Sequence, residues 1–219
     1  MSARVIVVVL GKQGAGKGTQ CKRLAQHLGV PHVSTGDILR AAVRDQTQIG
    51  LEVSSILDAG QLVSDDLVNR LVTERFAMPD AAGGALLDGY PRTDAQAEAL
   101  DEILGEDGVK ICINLDVPNS LVAERLSSRR VCQECGAIYR DTDIDAISGT
   151  CTNCGGDVVL RADDMPEAII KRLEVYERDT APLLSFYEAR GLLVRVDGDQ
   201  DPQEVTAEII DVLAERGIA

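Results

Sequence analysis

Tryptophan is absent from the 219 residues, and four tyrosines and two phenylalanines supply all the aromatic surface. Unpaired bases are usually held on such rings, so a single-strand nucleic-acid binder is disfavoured. Basic residues are also few: 22 Lys and Arg face 36 Asp and Glu, a net charge of −14. A surface of that sign repels DNA, RNA and anionic lipid, so neither nucleic acid nor membrane is expected as a partner. Long apolar runs are missing too. The longest, 5–10, is strand-sized, far short of the roughly 20 residues of a membrane span. Too little chain precedes it for the charged and apolar regions of a secretory signal, which predicts a cytoplasmic protein. What is present is ordinary for a globular enzyme: 45% apolar and 26% charged residues, in a length that suits one domain with a small inserted module. If so acidic a chain acts on an anionic substrate, it must gather its few cations in one cleft.

Six cysteines in a chain of this size without an export signal point to a reducing compartment rather than disulfides. Cys21 and Cys112 lie singly in apolar segments and read as small core residues. The other four form two C-x-x-C pairs, Cys132/Cys135 and Cys151/Cys154, fifteen residues apart. That spacing is a zinc ribbon's: two tight turns supply four thiolates, closing a tetrahedral site with no open position, so the metal is structural. Iron also accepts four thiolates. Gly136 and Gly155, directly after the pairs, suit such turns. The surrounding stretch, 129–164, has little helical periodicity and is too small to hold a core unaided. Asp141, Asp143 and Asp145 stand there against one Arg140, a face that would repel nucleic acid.

Elsewhere strand and helix patterns alternate. Expected strands are 4–10, 31–34, 85–88, 109–115 and 192–196. Expected helices are 17–28, 37–44, 51–59, 65–76, 94–104, 120–128, 166–189 and 202–216. Alternation of this kind predicts an α/β fold with a parallel sheet and right-handed crossovers, with ligands beyond the carboxyl ends of the strands.

Gly11-Lys12-Gln13-Gly14-Ala15-Gly16-Lys17-Gly18-Thr19 sits between the first strand and the first helix, the context of a phosphate-binding loop. Glycines let backbone N–H groups turn inward around phosphate oxygens, and the helix N-terminus adds partial positive charge. Lys17 would reach the outer phosphates. Gly18 occupies the place of the usual hydroxyl ligand for Mg²⁺, which is either missing or displaced to Thr19, so a hydrated ion held by ATP oxygens and an outer-sphere carboxylate is expected, with Asp88 the natural one. Thr35-Gly36-Asp37 with Arg40, and Asp88-Gly89-Tyr90-Pro91-Arg92 with Gln96, follow the next two strands. Each places an arginine where a second phosphate could be gripped bidentately. The plainer alternatives are helix caps at Ser34 or Thr35 and a capping box at Thr93 and Gln96.

GKQGAGKGTQ, STGDILR, GQLVSDD, LLDGYPRTDAQ, ERLSSRRVC and LRADDMPEAIIKRLEVY occur in the order found in adenylate kinases of the long-lid, zinc-binding type, and the resemblance spans nearly the whole chain. It implies a five-stranded core domain (1–33, 64–128 and 165–219), an AMP-binding segment (34–63) and a lid (129–164). It implies transfer of a phosphoryl group from Mg·ATP to AMP, giving two ADP, by a monomer. ATP would be held by Gly14, Ala15, Gly16, Lys17, Gly18 and Thr19, by Arg125 stacked on the base, and by Arg129, Ile138, Tyr139 and Gln200. AMP would be held by Thr35, Arg40, the backbone of Gln61, Leu62 and Val63, by Gly89, Tyr90, Pro91, Arg92 and Gln96, and by Arg161 and Arg172. Lys17, Arg92, Arg129, Arg161 and Arg172 would surround the transferred group, with Asp37 and Asp88 on the hydrated Mg²⁺ and the four lid cysteines on Zn²⁺. Gln13 departs from the proline many relatives carry, and Tyr90 from the commoner phenylalanine. A kinase for UMP, CMP or GMP is the nearer rival reading; a phosphate-loop module binding nucleic acid through the ribbon is the more distant one.

Overall fold

The computed structural model describes residues 4–218. Strand β1 (Val5–Gly11) is the centre of a parallel sheet ordered β2-β3-β1-β4-β8, with β2 (His32–Ser34), β3 (Gly84–Asp88), β4 (Ile111–Asp116) and β8 (Leu193–Asp197). Its unbroken apolar run follows from burial on both faces. Ile6, Val8 and Leu10 join the core that includes Leu39, Val72, Leu100 and Tyr187; Val7 and Val9 join the one that includes Leu24, Leu126 and Ile209. Helices α1 (Lys17–Leu28), α2 (Thr35–Arg44), α3 (Gln48–Asp58), α4 (Asp65–Phe76), α5 (Asp94–Leu104) and α6 (Asn119–Ser127) cover the sheet, with α10 (Pro202–Glu215) beside α1. No helix among the described residues is long and apolar enough to cross a membrane.

The expected helix 166–189 is divided. Helix α8 (Pro166–Val175) gives way to a π turn at Tyr176–Thr180, and α9 (Pro182–Ala189) follows. Ala181 N–H reaches back to the Tyr176 carbonyl five residues earlier, and Pro182 has no N–H to continue the ladder. Between α6 and α8 the chain leaves the core to form an antiparallel sheet, β6-β5-β7, from β5 (Arg129–Cys132), β6 (Ile138–Arg140) and β7 (Val158–Leu160), with the one-turn α7 (Ile144–Ser148). Its own apolar core is small: Cys132, Cys151 and Val158, with Ala137, Tyr139 and Ala146 packed against them. Asp145 does not belong to a solvated acidic face. It is 4% exposed and accepts from Thr152 N–H and Oγ at 3.0 and 2.9 Å.

Candidate active site

The loop between β1 and α1 turns through left-handed backbone at Gly14 (φ 80°) and Gly16 (φ 98°). A side chain at Gly11 would bring its Cβ within 2.6 Å of the Leu115 carbonyl, so β1 can enter the loop there only as glycine. Lys17 folds back over this loop and donates to the carbonyls of Gly11 (2.6 Å) and Lys12 (2.8 Å). Burial pushes its ammonium down to about 8, against the opposing pull of Asp88 and with help from Arg92 and Arg172. Those last two causes place three cations from distant parts of the chain within electrostatic reach of one another.

They meet on a cleft of about 830 Å³ at the carboxyl edge of the sheet. One end is walled by Gly14, Ala15, Gly16, Gly18, Thr19, Arg125 and Gln200, with Ile138 and Tyr139 contributed by the 129–164 insertion. Arg125 is held there by the carbonyls of Gly198 (3.0 Å) and Gly14 (3.4 Å). A smaller side pocket opens beside Thr35, Gln61, Leu62, Val63 and Gln96. Gln13, Gly36, Arg40, Leu62, Gly89, Arg92, Arg172 and Val175 line both spaces and so form the seam between them. Arg129, Arg161, Asp37, Asp88 and Pro91 also face the main cleft. Tyr90 does not: it is fully buried, donating to Asn69 Oδ1 at 2.8 Å and to the Gln96 carbonyl, and lines neither space.

The plainer alternatives at the second and third strand ends are realised in part. Ser34 Oγ caps α2 by accepting from Asp37 N–H at 3.2 Å, while Thr35 Oγ donates to the Gly89 carbonyl at 2.8 Å and ties the two strand ends together. Thr93 caps α5. Gln96 Oε1 accepts from Arg92 N–H at 2.8 Å, and its amide nitrogen donates to Asp65 Oδ1 at 2.7 Å. Gln96 therefore positions the Arg92 backbone and faces the side pocket at once.

Two carboxylates missed in the sequence hold the cations. Asp164, its side chain fully buried, receives both Arg129 Nε (2.6 Å) and Nη (2.5 Å), and Arg172 at 3.0 Å. Asp163 pairs bidentately with Arg161 at 2.5 and 2.7 Å and lies 3.3 Å from Arg172. Burial works to raise the Asp163 pKa, but Arg161 and Arg172 win and hold it at about 2. Arg172 is pushed down to about 10, by burial first and by Arg161 and Arg129 next. Arg40 is likewise lowered by burial and by Arg161, and is paired with Asp37. The signal in the sequence was the adjacency Arg161-x-Asp163-Asp164, a cation followed directly by its own counter-ions. Gln13 donates its side-chain amide to the Arg172 carbonyl at 3.4 Å, a bond that its place in the loop motif does not announce.

In the insertion the four sulfurs of Cys132, Cys135, Cys151 and Cys154 lie within 4.8 Å of one another. Cys132 to Cys154 is 3.4 Å and Cys135 to Cys151 is 3.6 Å. A disulfide would bring sulfurs to about 2.05 Å. A tetrahedral ion at about 2.3 Å from each thiolate sets them roughly 3.8 Å apart, so the cluster fits a four-thiolate metal. Each pair is closed by a turn: Gly136 N–H donates to the Cys132 carbonyl, and Gly155 N–H to that of Cys151.

A strand-loop-helix cradle, cations brought together from four parts of the chain, and a small thiolate-clustered insertion above them also have counterparts among known sequences. The family profile described as "Adenylate kinase" matches residues 9–192. The chain is 45% identical to the adenylate kinase of Carboxydothermus hydrogenoformans over 94% of its own length and 98% of that protein. It is 47% identical to that of Symbiobacterium thermophilum over 93% and 95%, and 46% identical to that of Bacillus subtilis over 94% and 97%. With the family matched over most of the chain, and relatives of this similarity covered almost end to end, the protein belongs to the adenylate kinase family.

Proposed function

We propose that this chain catalyses reversible phosphoryl transfer from Mg·ATP to AMP, giving two ADP. The observation that carries the reading is the seam, where Arg40, Arg92 and Arg172 face both the main cleft and the side pocket, with Lys17 on the donor side. ATP occupies the main cleft with its phosphates in the loop and its base against Arg125, the insertion and Gln200. AMP occupies the side pocket, its base against the backbone of Gln61, Leu62 and Val63 and its phosphate between Arg40 and Arg92. Arg129, Arg161 and Arg172 then surround the moving group.

Phosphoryl transfer asks little covalent chemistry of the protein, so positioned cations supply most of the catalysis. Asp163 and Asp164 neutralise these arginines while no phosphate is present and give them up, bond by bond, to phosphate oxygens. Asp88 and Asp37 face the loop from the strand ends. Gly18 brings no side chain against the Asp88 carboxylate, which even a Cβ there would meet at 3.8 Å. Asp88 and Asp37 would hold a hydrated Mg²⁺ there, and the ion would supply charge neutralisation to the phosphates. In the thiolate cluster Zn²⁺ is a structural staple for the insertion. Segments 34–63 and 129–164 close on the bound nucleotides and exclude water, which would otherwise compete as acceptor. They already touch here: Arg44 of α2 donates to the Glu134 carbonyl at 3.1 Å.

The test is direct. Purified protein with ATP, Mg²⁺ and each of AMP, UMP, CMP and GMP is followed for nucleoside diphosphate. AMP is expected to react fastest by a wide margin; a faster rate with another monophosphate would replace AMP in this proposal, and no product from any would refute it.

A further inference from the structure

Behind the phosphate loop lies a second group of metal-type donors. Cys21 sits one turn after Lys17, on the same face of α1, and is fully buried. His32 and Asp88 come from the adjacent parallel strands β2 and β3. One donor atom from each, the Cys21 sulfur, a His32 ring nitrogen and an Asp88 oxygen, lie within 4.8 Å of one another, and His32 Nε2 is 3.3 Å from Asp88 Oδ2. Tetrahedral coordination at about 2.0–2.3 Å would place such donors roughly 3.3–3.8 Å apart. The rearrangement needed is therefore small.

We propose that Cys21, His32 and Asp88 form an inhibitory site for a soft divalent cation such as Zn²⁺, separate from the four-thiolate cluster. The donor set decides the class of ion: sulfur and imidazole select zinc-like metals, whereas Mg²⁺ takes oxygen and keeps its waters. Charge agrees. The Cys21 thiol, which burial and then Asp88 hold in its protonated form, gives up its proton to solvent as the ion binds. The resulting thiolate and the carboxylate neutralise a divalent ion, and the imidazole adds no charge, so the occupied site carries no net charge into the interior. Lys17 and Arg92, the nearby cations, then face a neutral complex. Access is from the nucleotide cleft, because Asp88 lines it and Gly18 has no side chain to stand in front of that carboxylate. Three protein donors leave a fourth coordination position for water or another small ligand. Inhibition follows because Asp88 cannot serve the hydrated Mg²⁺ while it ligates Zn²⁺. That consequence rests on the kinase reading; the binding does not.

Holoenzyme carrying one equivalent of Zn²⁺ in the insertion is titrated with further Zn²⁺ by equilibrium dialysis with elemental analysis, and its ADP formation is followed in excess Mg·ATP and AMP. A second equivalent is expected in the wild type and is expected to be lost in both Cys21→Ala and His32→Gln. Loss of even an outer partner of a metal ligand weakens binding by about 10–100-fold, so removal of a ligand should shift Zn²⁺ inhibition by at least that much. Cys21→Ala is expected to keep its zinc-free activity. A wild type that binds only one equivalent overturns the proposal, as does a second equivalent that persists with unchanged affinity in both variants. If the second equivalent binds as described but AMP is not phosphorylated, the site stands and the kinase reading fails.

Discussion

Lys17 spends two of its three donors on loop carbonyls, and burial leaves its ammonium easier to deprotonate than an ordinary lysine's. The folded value of about 8 lies below the ordinary lysine value of 10.5, so the folded chain disfavours the charged form. Its penalty on stability is full below pH 8 and fades as pH rises through 10.5. A polyphosphate restores the charge. ATP binding at pH 8 should therefore take up on the order of half a proton per site, and much less at pH 6. Calorimetry in buffers of different ionisation enthalpy measures the uptake, and heats independent of the buffer at pH 8 would contradict the argument. Asp163 titrates in the opposite sense. Its folded value of about 2 lies below the ordinary 3.8, so its pairing stabilises the protein above pH 4 and is lost as pH falls toward 2. Asp163→Asn should cost on the order of 2 kcal/mol at pH 6, and the difference from wild type should vanish near pH 2. Thermal melts at the two pH values decide it. Arg172→Ala should lower turnover by about 10²–10³, the usual cost of removing one donor from developing charge. These cations were legible because each follows a strand end or a recognisable motif. Asp163 and Asp164 were less so: apart from their closeness to Arg161, a carboxylate that holds an arginine looks, in sequence, like any solvated acid.

At the scale of elements, the parallel sheet could be read directly, since strands buried on both faces write themselves as unbroken runs such as Val5–Gly11. The division of 166–189 could not be read from periodicity, because a π turn shifts the helical phase by only one residue. The β-sheet of the insertion was hidden for a different reason. Strands of three or four residues are too short for alternation to stand out, and the cysteines dominate the pattern. That sheet has only a handful of apolar residues at its core, so a metal held by the four thiolates would supply much of its stability. Structural zinc contributes roughly 10–16 kcal/mol of apparent binding energy in finger peptides. Chelation, or Cys135→Ser, should therefore unfold 129–164 while the main sheet persists. Hydrogen exchange is expected to show protection lost in β5 to β7 and kept in β1 and β4, with ADP formation falling together with the insertion's protection. Retained protection in β5 to β7 after the metal is stripped would show that the insertion folds without it.

For the whole molecule, the arrangement solves a problem set by its own composition. A chain of net charge −14 that acts on two anionic nucleotides needs a local excess of cations, and this one brings Lys17, Arg40, Arg92 and Arg172 to one cleft and pairs Arg172 with Asp163 and Asp164. Chemistry in such a site is expected to be fast once water is excluded, and the closed state has to open before two ADP molecules can leave. Opening should then limit turnover. Large-scale opening moves protein through solvent, so kcat should fall as viscosity is raised with a small viscogen, whereas a chemical step would not respond. Arg172→Lys provides the control, since slowed chemistry should erase the viscosity dependence. Arg44 supplies the complementary change. Its hydrogen bond to the Glu134 carbonyl ties α2 to the 129–164 insertion, a contact that opening would have to break, and Arg44 lines neither nucleotide space. Arg44→Ala should therefore raise kcat, by at most a few-fold given how little exposed contacts contribute. An unchanged kcat in that variant, together with a viscosity-independent wild type, would place the slow step in the transfer itself.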